Sequence, residues 1–261
     1  MALLLGAGVA GLAWWAGLLQ PSGAAAATLV GAAAFGGSGW RGAGLVLAFF
    51  LSSGVLSRWG AQRKRVLQPV MAKSGRRDAW QVAANGGVAA VLSLAYGLSG
   101  SQAEVFLVGM VGALAAVNAD TWATEIGVLS SPPPRLLTGG RIVPPGTSGG
   151  VTAAGLLASL AGAGLISALA AWFWGRPALL GIGLLAGMLG SLLDSLLGAT
   201  AQAVYHCPAC GVETEQHPRH TCGAATQRLR GLAWLGNDTV NLLCSLSGAV
   251  LAMTMWRLAV G

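Results

Sequence analysis

Charged residues are scarce in this sequence. They make up 9% of its 261 residues, and only eight residues are acidic, whereas a typical soluble domain has about 25% charged residues. No polar stretch is long enough to form a second, soluble domain. Hydrophobic residues make up 54% of the chain, and several apolar runs approach the ~20 residues that cross a bilayer. The sequence therefore predicts a single integral membrane domain over residues 1–261.

The apolar runs predict an all-α, polytopic membrane bundle of about eight transmembrane helices, with six to nine possible. The start of the chain lacks a basic segment before its first apolar run, so we expect a retained span and not a cleaved signal peptide. The predicted spans are Ala2–Leu19, Ala24–Phe35, Gly42–Trp59, Ala79–Leu98, Ala103–Leu129, Val151–Trp174, Ala178–Val204 and Gly231–Val260.

Positive charge is distributed unevenly between the predicted loops. Twelve of the fifteen Lys and Arg residues follow the third, fifth and seventh spans, and three lie on the opposite side. This excess predicts that the twelve basic residues lie on the cytoplasmic side of a prokaryotic inner membrane and that both chain termini lie outside. The net charge of +7 then reflects topology and contact with membrane lipid, and we expect no nucleic acid partner. The twelve are Arg58, Arg63, Lys64, Arg65, Lys73, Arg76, Arg77, Arg135, Arg141, Arg219, Arg228 and Arg230.

Four acidic residues lie near the predicted cytoplasmic ends of apolar spans. Two of them belong to the motif N-A-D-T-W-A-T-E, residues 118–125. Ionisable groups at membrane depth are costly and indicate function by default. A buried polar network that holds the bundle together is the structural alternative, but the recurrence of carboxylates favours metal or proton chemistry. We expect the four to converge in one cavity open to the cytoplasm: Asp120, Glu125, Asp194 and Asp238.

The loop before the sixth predicted span, Ser131–Gly150, combines prolines, glycines and two arginines. Its end, G-T-S-G-G, can present backbone N–H groups and a helix N-terminus to an anion, although the Gly-Lys-Ser/Thr close of a P-loop is absent. Arginine adds charge-assisted hydrogen bonds to phosphate, and side-chain amides can bond phosphate or ribose oxygens. The candidate substrate- or phosphate-binding residues are Asn85, Asn118, Arg135, Arg141, Gly146, Thr147, Ser148, Gly149, Gly150, Asn237 and Asn241.

Cysteine is also rare, and three of the four cysteines cluster between the last two predicted spans, in an insertion loop over residues 205–223. Cys207 and Cys210 form a C-x-x-C pair, and Cys222 follows with His217 and His220 nearby. This spacing is typical of a small structural zinc knuckle. We favour His220 as the fourth ligand. A loop without metal is the alternative, and a cytoplasmic placement disfavours a disulfide.

Several long motifs in order are similar to one family. They are Q-V-A-A-N-G, N-A-D-T-W-A-T-E-I-G, P-R-L-L-T-G-G-R-I-V-P-P-G-T-S-G-G-V-T, G-S-L-L-D-S-L-L-G-A-T-A-Q and W-L-G-N-D-T-V-N. Together they resemble a multi-pass membrane family, formerly a domain of unknown function, that includes the plant phytyl-phosphate kinase of tocopherol synthesis. The similarity covers most of the chain from Gly42 onward.

The resemblance implies transfer of a phosphoryl group from CTP or another nucleoside triphosphate to a prenyl monophosphate, which gives the diphosphate. Such transfer needs positioning, divalent metal and positive charge. Asp120, Glu125, Asp194 and Asp238 are hard oxygen ligands suited to one or two Mg²⁺. An ion- or proton-coupled transporter that uses the same carboxylates, or a lipid cytidylyltransferase that releases pyrophosphate, are the alternatives.

Overall fold

The computed structural model describes residues 1–67, 69–71, 75–100 and 103–260; Lys73 of the basic set lies outside the described residues. The chain is mostly helical, and six of its described helices are long and apolar enough to cross a membrane. The predicted all-α membrane bundle is therefore confirmed. The helices are α1 (Ala2–Trp15), α2 (Pro21–Arg58), α3 (Ala61–Lys64), α4 (Ala79–Leu98), α5 (Ala103–Gly127), α6 (Ala153–Trp174), α7 (Ala178–Thr200) and α8 (Asn237–Val260).

Helix α2 contains the second and third predicted spans and reverses direction at Gly39. A straight helix of its 38 residues would extend about 57 Å, roughly twice the thickness of the hydrocarbon core. Gly39 has φ 63° and ψ −155°, a conformation that is open to glycine because it has no Cβ. Gly23 and Phe50 both lie against Arg77, so the chain has returned to the end of the bundle from which it started.

The two halves of α2 give the bundle eight apolar helical segments among the described residues, together with α1 and α4 to α8. The main difference from the predicted spans is in α1, which ends at Trp15 and has 14 residues. Leu18 and Arg77 exchange a backbone hydrogen bond just after α1, from the Arg77 N–H to the Leu18 carbonyl at 3.0 Å. The connection between α1 and α2 is thereby fixed against the start of α4.

Helix α5 is the centre of the bundle, and 72% of its apolar span is buried, against 28–39% for the other five long helices. Small residues bring its neighbours close. A Cβ on Gly112 would lie 2.3 Å from the carbonyl oxygen of Gly248 in α8, and one on Gly187 in α7 would lie 2.9 Å from Ala115 Cβ. Such contacts between backbones stabilise helix association where lipid gives no hydrophobic driving force.

The two ends of the bundle differ in chemistry. At one end, Trp40 packs edge-on against Phe173 with ring centroids 5.0 Å apart, the Trp174 indole donates to the Tyr96 hydroxyl, and Arg176 pairs with Glu104. We call this the aromatic end, since aromatic belts are typical of a membrane interface. The opposite, basic end carries most of the Lys and Arg residues. Helix α1 runs toward the basic end and α8 away from it, so both termini lie toward the aromatic end; that this end faces outside stays a prediction.

Five short strands, which were not predicted, lie in the loops of the basic end. There, backbone groups can pair with one another outside the helices. Two form an antiparallel pair that closes the loop before α6, and three form an antiparallel sheet in the Cys/His insertion. They are β1 (Arg135–Leu136), β2 (Gly150–Val151), β3 (Val204–Cys207), β4 (Val212–Thr214) and β5 (Gln227–Arg230), with β3 central in the second sheet.

Candidate functional site

A cavity of about 140 Å³ lies at the basic end of the bundle, between α5, α6 and α7. Asp120 of α5 and Asp194 of α7 both line it, and Glu215 of the Cys/His insertion joins them. We call it the carboxylate cavity. The Oδ2 atom of Asp194 is buried there and accepts no hydrogen bond from any described residue. A buried acceptor without a donor is costly, so the cavity has the chemistry of a cation site.

Helix α6 presents its N-terminus to the carboxylate cavity. Val151, Thr152 and Gly155 line the cavity, and Thr152 caps the helix by accepting a hydrogen bond from the Gly155 N–H at 3.0 Å. The positive end of the helix dipole therefore lies beside the carboxylates, where it favours negative charge. The cavity can hold both an anion at the helix start and a cation at the acidic groups.

Glu125 lies on the far side of α5 from Asp120. Five residues along a helix turn the chain by roughly 140° beyond a full turn, so the two side chains point apart. Glu125 pairs with Lys64 Nζ at 2.5 Å and accepts a hydrogen bond from Ser57 Oγ at 2.5 Å. Of the four carboxylates expected to converge, the structure brings Asp120 and Asp194 together and separates Glu125 from them.

The first turn of α8 reaches the same cavity. Asn237 lines it, whereas Asp238 and Asn241 are not among its lining residues. One carboxylate oxygen of Asp238 is nonetheless buried. Of the candidate residues on this helix, the structure places Asn237 in the lining of the cavity.

Asn118 joins three helices and does not line the cavity. Its Nδ2 donates to the carbonyl of Gly162 in α6 at 2.7 Å, and its Oδ1 accepts from Ser52 Oγ in α2 at 3.1 Å. Trp122 Nε1 also donates to Ser52 Oγ, at 3.3 Å. This fully buried amide therefore stabilises the packing of α5 against its neighbours.

The glycine-rich loop lines the carboxylate cavity with residues 146–150, but its glycines have different neighbours. Gly146 and Gly149 both have positive φ, 86° and 78°. A Cβ on Gly149 would lie 2.2 Å from the backbone nitrogen of Ala199 in α7. The close approach that requires glycine at this position is therefore to the backbone of α7.

The two arginines of this loop lie outside the carboxylate cavity. Arg135 and Arg141 are exposed, and Arg135 donates to the Gly140 carbonyl at 3.0 Å within its own hairpin. Strand β1 holds Arg135 opposite Val151. Neither of these candidate phosphate-binding arginines therefore contributes to the cavity that residues 146–150 line.

Asn85 lines a second cavity, between α1, α2 and α4, together with Arg77 and Gln81. Its Nδ2 donates to the Gln81 carbonyl at 2.8 Å. The structure thus separates Asn85 from the carboxylate cavity by the packed helices α2 and α5.

The Cys/His insertion brings Cys207, Cys210, His220 and Cys222 together, with all four potential ligand atoms within 4.8 Å of one another. Cys207 Sγ and Cys222 Sγ are 3.6 Å apart, close to the ~3.8 Å edge of a tetrahedron with Zn–S bonds of about 2.3 Å. His220 Nδ1 faces the sulfurs, while its Nε2 lies 3.1 Å from the Pro69 carbonyl. That contact orients the ring as the outer partner of a metal-bound histidine does.

The other candidate histidine is used elsewhere. His217 stacks on Tyr205 with ring centroids 4.4 Å apart and an angle of 13° between the planes.

Within the cluster, a hydrogen bond with His220 lowers the pKa of the Cys222 thiol to about 6, and the hydrogen bond with Cys222 raises the pKa of Cys210 to about 11. The four residues fit a tetrahedral zinc site with His220, and not His217, as the nitrogen ligand.

Glu215 connects the insertion to the carboxylate cavity, and sequence reasoning missed it. It directly follows β4, and its Oε1 accepts hydrogen bonds from Ser148 Oγ of the glycine-rich loop and from Gln202 Nε2 at 2.8 Å. Its N–H donates to the Val70 carbonyl at 2.8 Å. Glu215 is one of only eight acidic residues, and this rarity could have indicated a functional role. It was overlooked because the loop that contains it was interpreted as purely structural.

These features define a polytopic helical membrane protein with a carboxylate cavity at its basic end and a Cys/His insertion that contributes to the cavity wall. Residues 4–249 match the model of the family described as integral membrane protein DUF92, and the chain belongs to that family. The resemblance inferred from the motifs is confirmed.

Known relatives align with most of the chain. The chain is 37% identical to protein PGR of Arabidopsis thaliana over 230 residues, and this alignment covers 79% of this chain and 78% of that protein. It is 32% identical over 188 residues to an uncharacterized membrane protein of Synechocystis, covering 71% and 72%, and 28% identical over 243 residues to the chloroplastic protein VTE6 of Arabidopsis thaliana, covering 91% and 65%. No solved structure is significantly similar to the chain.

Proposed function

We propose that this protein is a membrane prenyl-phosphate kinase that transfers the terminal phosphoryl group of a nucleoside triphosphate, CTP in the first instance, to a prenyl monophosphate. The observation that carries the proposal is the carboxylate cavity, where the buried Oδ2 of Asp194 lies beside Asp120 and the N-terminus of α6. Kinship with the family that includes the plant phytyl-phosphate kinase supports the reaction class.

Asp120 and Asp194 are the residues that would hold Mg²⁺, with Glu215 at the edge of the cavity. Their hard carboxylate oxygens suit this ion, and the donor-free Oδ2 of Asp194 has room for a ligand bond. Mg²⁺, when bound, neutralises the charge of the triphosphate and of the phosphoryl group in transit. Asp238 stays a candidate for an orienting role. Glu125 is paired with Lys64 on the far side of α5 from Asp120, so we expect it to stabilise the fold and not to act in the reaction.

The reaction forms one bond and breaks one bond. An oxygen of the prenyl monophosphate attacks the γ-phosphorus, and the bond from that phosphorus to the β–γ bridging oxygen breaks, which releases the nucleoside diphosphate. The attacking monoester is largely ionised near neutral pH, so no strong general base is required. The protein's part is to place the two phosphates in line, with the α6 N-terminus and Asn237 near the triphosphate and basic residues near the acceptor.

The Cys/His cluster is proposed to bind one structural Zn²⁺ through Cys207, Cys210, His220 and Cys222. Four protein ligands leave no open position for catalysis. The metal would instead hold the β3–β4–β5 sheet and, through β4, the position of Glu215.

Product analysis with labelled nucleotides tests the proposal. Purified protein in lipid nanodiscs is incubated with prenyl monophosphates of several chain lengths, Mg²⁺ and either γ-labelled or α-labelled CTP. A kinase transfers the γ-label to prenyl diphosphate and leaves CDP. Release of labelled pyrophosphate would identify a cytidylyltransferase. If no acceptor gives a labelled product, the kinase proposal is contradicted and the ion-coupled transporter becomes the better explanation of the carboxylates.

A further inference from the structure

A second and larger cavity, of about 340 Å³, lies between α1, both halves of α2 and the start of α4. We call it the apolar cavity. Its walls are mainly aliphatic and aromatic, and they include Val9, Ala27, Ala43 and Leu47. Its volume falls within the range of roughly 300–1,000 Å³ seen for small-molecule sites. It lies among membrane-crossing helices, so its natural occupant is a hydrocarbon chain.

One end of the apolar cavity is polar, because Arg77, Gln81 and Asn85 line it there. The Arg77 guanidinium lies over the rings of Phe49 and Phe50, 5.9 and 5.6 Å from their centroids. Within the described part of the chain it makes no ion pair with a carboxylate. The charge of Glu125 stabilises the guanidinium, but that carboxylate is already paired with Lys64, so Arg77 keeps a positive charge that is complementary to an anionic headgroup.

The position of Arg77 is fixed by its backbone. Its N–H donates to the Leu18 carbonyl at 3.0 Å, and its carbonyl accepts from the Gln20 N–H at 2.9 Å. The backbone of Arg77 is therefore fixed at the mouth of the apolar cavity, and its guanidinium lies over the rings of Phe49 and Phe50. A preorganised cation binds an anion more tightly than a mobile one, because less conformational entropy is lost on binding.

Three described residues between α2 and α4 contact these sites at the basic end. Lys64 pairs with Glu125, Met71 lines the carboxylate cavity, and Arg77 lines the apolar cavity. An anion at Arg77 would thus lie at the same end of the bundle as the carboxylates. Helices α2 and α5 separate the two cavities, so an acceptor held at Arg77 occupies a docking site and moves to the carboxylate cavity before transfer.

We infer that the apolar cavity binds the isoprenoid chain of a prenyl monophosphate, with Arg77 binding its phosphate and Gln81 and Asn85 bonding the phosphate oxygens. The inference rests on the proposed function and adds the location of the acceptor. It also gives Asn85 a phosphate-binding role separate from the carboxylate cavity.

Equilibrium binding of radiolabelled farnesyl phosphate to the full chain in nanodiscs, without nucleotide, tests this location apart from turnover. Arg77→Gln should weaken binding by about tenfold or more, since a charge-assisted hydrogen bond is lost. Its matched control is Arg76→Gln at the exposed neighbouring arginine, which should bind as the wild type. Ala27→Phe, which fills the cavity, should weaken binding, whereas Ala25→Phe on the exposed face of the same helix should not.

Competition separates the sources of the anionic headgroup. Unlabelled farnesyl phosphate should displace the label, while farnesol and phosphatidic acid should displace it at least about tenfold less well. Equal displacement by phosphatidic acid would overturn the inference in favour of a general lipid site, and unchanged binding in both Arg77→Gln and Ala27→Phe would place the acceptor elsewhere. If the wild type binds farnesyl phosphate through Arg77 but forms no diphosphate, the binding site is supported and the proposed kinase activity is rejected. The two proposals can therefore fail separately.

Discussion

Asp120, Glu125 and Asp194 show what rarity alone can and cannot predict about a residue. Their scarcity in an apolar chain correctly marked the region that forms a cavity at the basic end. The sequence could not tell which helix faces which neighbour, so it could not show that Glu125 turns toward Lys64 of α3. Glu215 was missed for a related reason, since its contact with Ser148 joins residues 67 positions apart.

Asp194→Asn should abolish diphosphate formation, lowering the rate by at least about a hundredfold if metal-bound charge stabilisation is lost. The variant keeps the shape of the side chain and removes one of the three carboxylates that line the carboxylate cavity. Its thermal midpoint without Mg²⁺ should therefore equal or exceed that of the wild type. The measurements are γ-label transfer and thermal unfolding in the same membrane preparation, with and without Mg²⁺.

Glu125→Gln is the matched control for that experiment. It removes the partner of Lys64, and the two side chains are only 21% and 13% exposed. Loss of one member of a largely buried pair costs roughly 2–3 kcal/mol of stability, so its thermal midpoint should fall while Mg²⁺-dependent turnover survives. If Glu125→Gln lost activity as completely as Asp194→Asn with unchanged stability, Glu125 would belong to the metal site after all.

Gly149 and Gly146 have similar positive φ but should respond differently to alanine. In both, an alanine in the left-handed region costs about 1 kcal/mol. At Gly149 the new Cβ also meets Ala199 N at 2.2 Å, whereas at Gly146 the nearest atom is a Leu67 methyl carbon at 3.6 Å. Thermal unfolding should show a clearly larger fall for Gly149→Ala, and equal falls would mean that the loop can move away from α7.

At the scale of helices and strands, hydrophobicity predicted the spans well and the connections poorly. The apolar runs located all the long helices because each must cover about 30 Å of hydrocarbon. Two separate spans were correctly predicted on either side of Gly39. The structure shows that the chain between them reverses at this one glycine and stays helical on both sides of it. The short strands could not be predicted, because they depend on pairing between residues in loops with no alternating pattern.

The three-stranded sheet should depend on its metal. The double variant Cys207→Ser/Cys210→Ser should lose the roughly one zinc per chain that we expect in the wild type, because two of four ligands are gone. Turnover should fall as well, since Glu215 directly follows β4 and contacts the glycine-rich loop. Metal analysis by mass spectrometry and the γ-label assay measure the two effects.

Cys244→Ser serves as the control for zinc content, because Cys244 is buried in α8 away from the cluster. It should retain the metal. Zinc loss without any change in turnover would show that the sheet does not position Glu215. Acidification should release the metal in the wild type, because protons compete for the thiolates and for His220.

At the scale of the whole molecule, the two chemically distinct ends predict the orientation of the protein in its membrane. Arg141 is exposed in the loop that lines the carboxylate cavity, and Arg219 is exposed in the Cys/His insertion. Arg257 is exposed in the last turn of α8, at the aromatic end. Trypsin added to sealed inside-out bacterial vesicles should therefore cut at Arg141 and Arg219 and leave Arg257 intact, as read by mass spectrometry of the fragments.

Right-side-out vesicles should protect Arg141 and Arg219, and detergent should remove the protection from both preparations. The result bears directly on function, because nucleoside triphosphates are present on the cytoplasmic side and an enzyme that uses them needs its cavity open there. Cleavage at Arg141 only in right-side-out vesicles would place the carboxylate cavity on the side without nucleotides. The carboxylates could then not act on a triphosphate from the cytoplasm, and an ion-coupled transport role would explain their burial better.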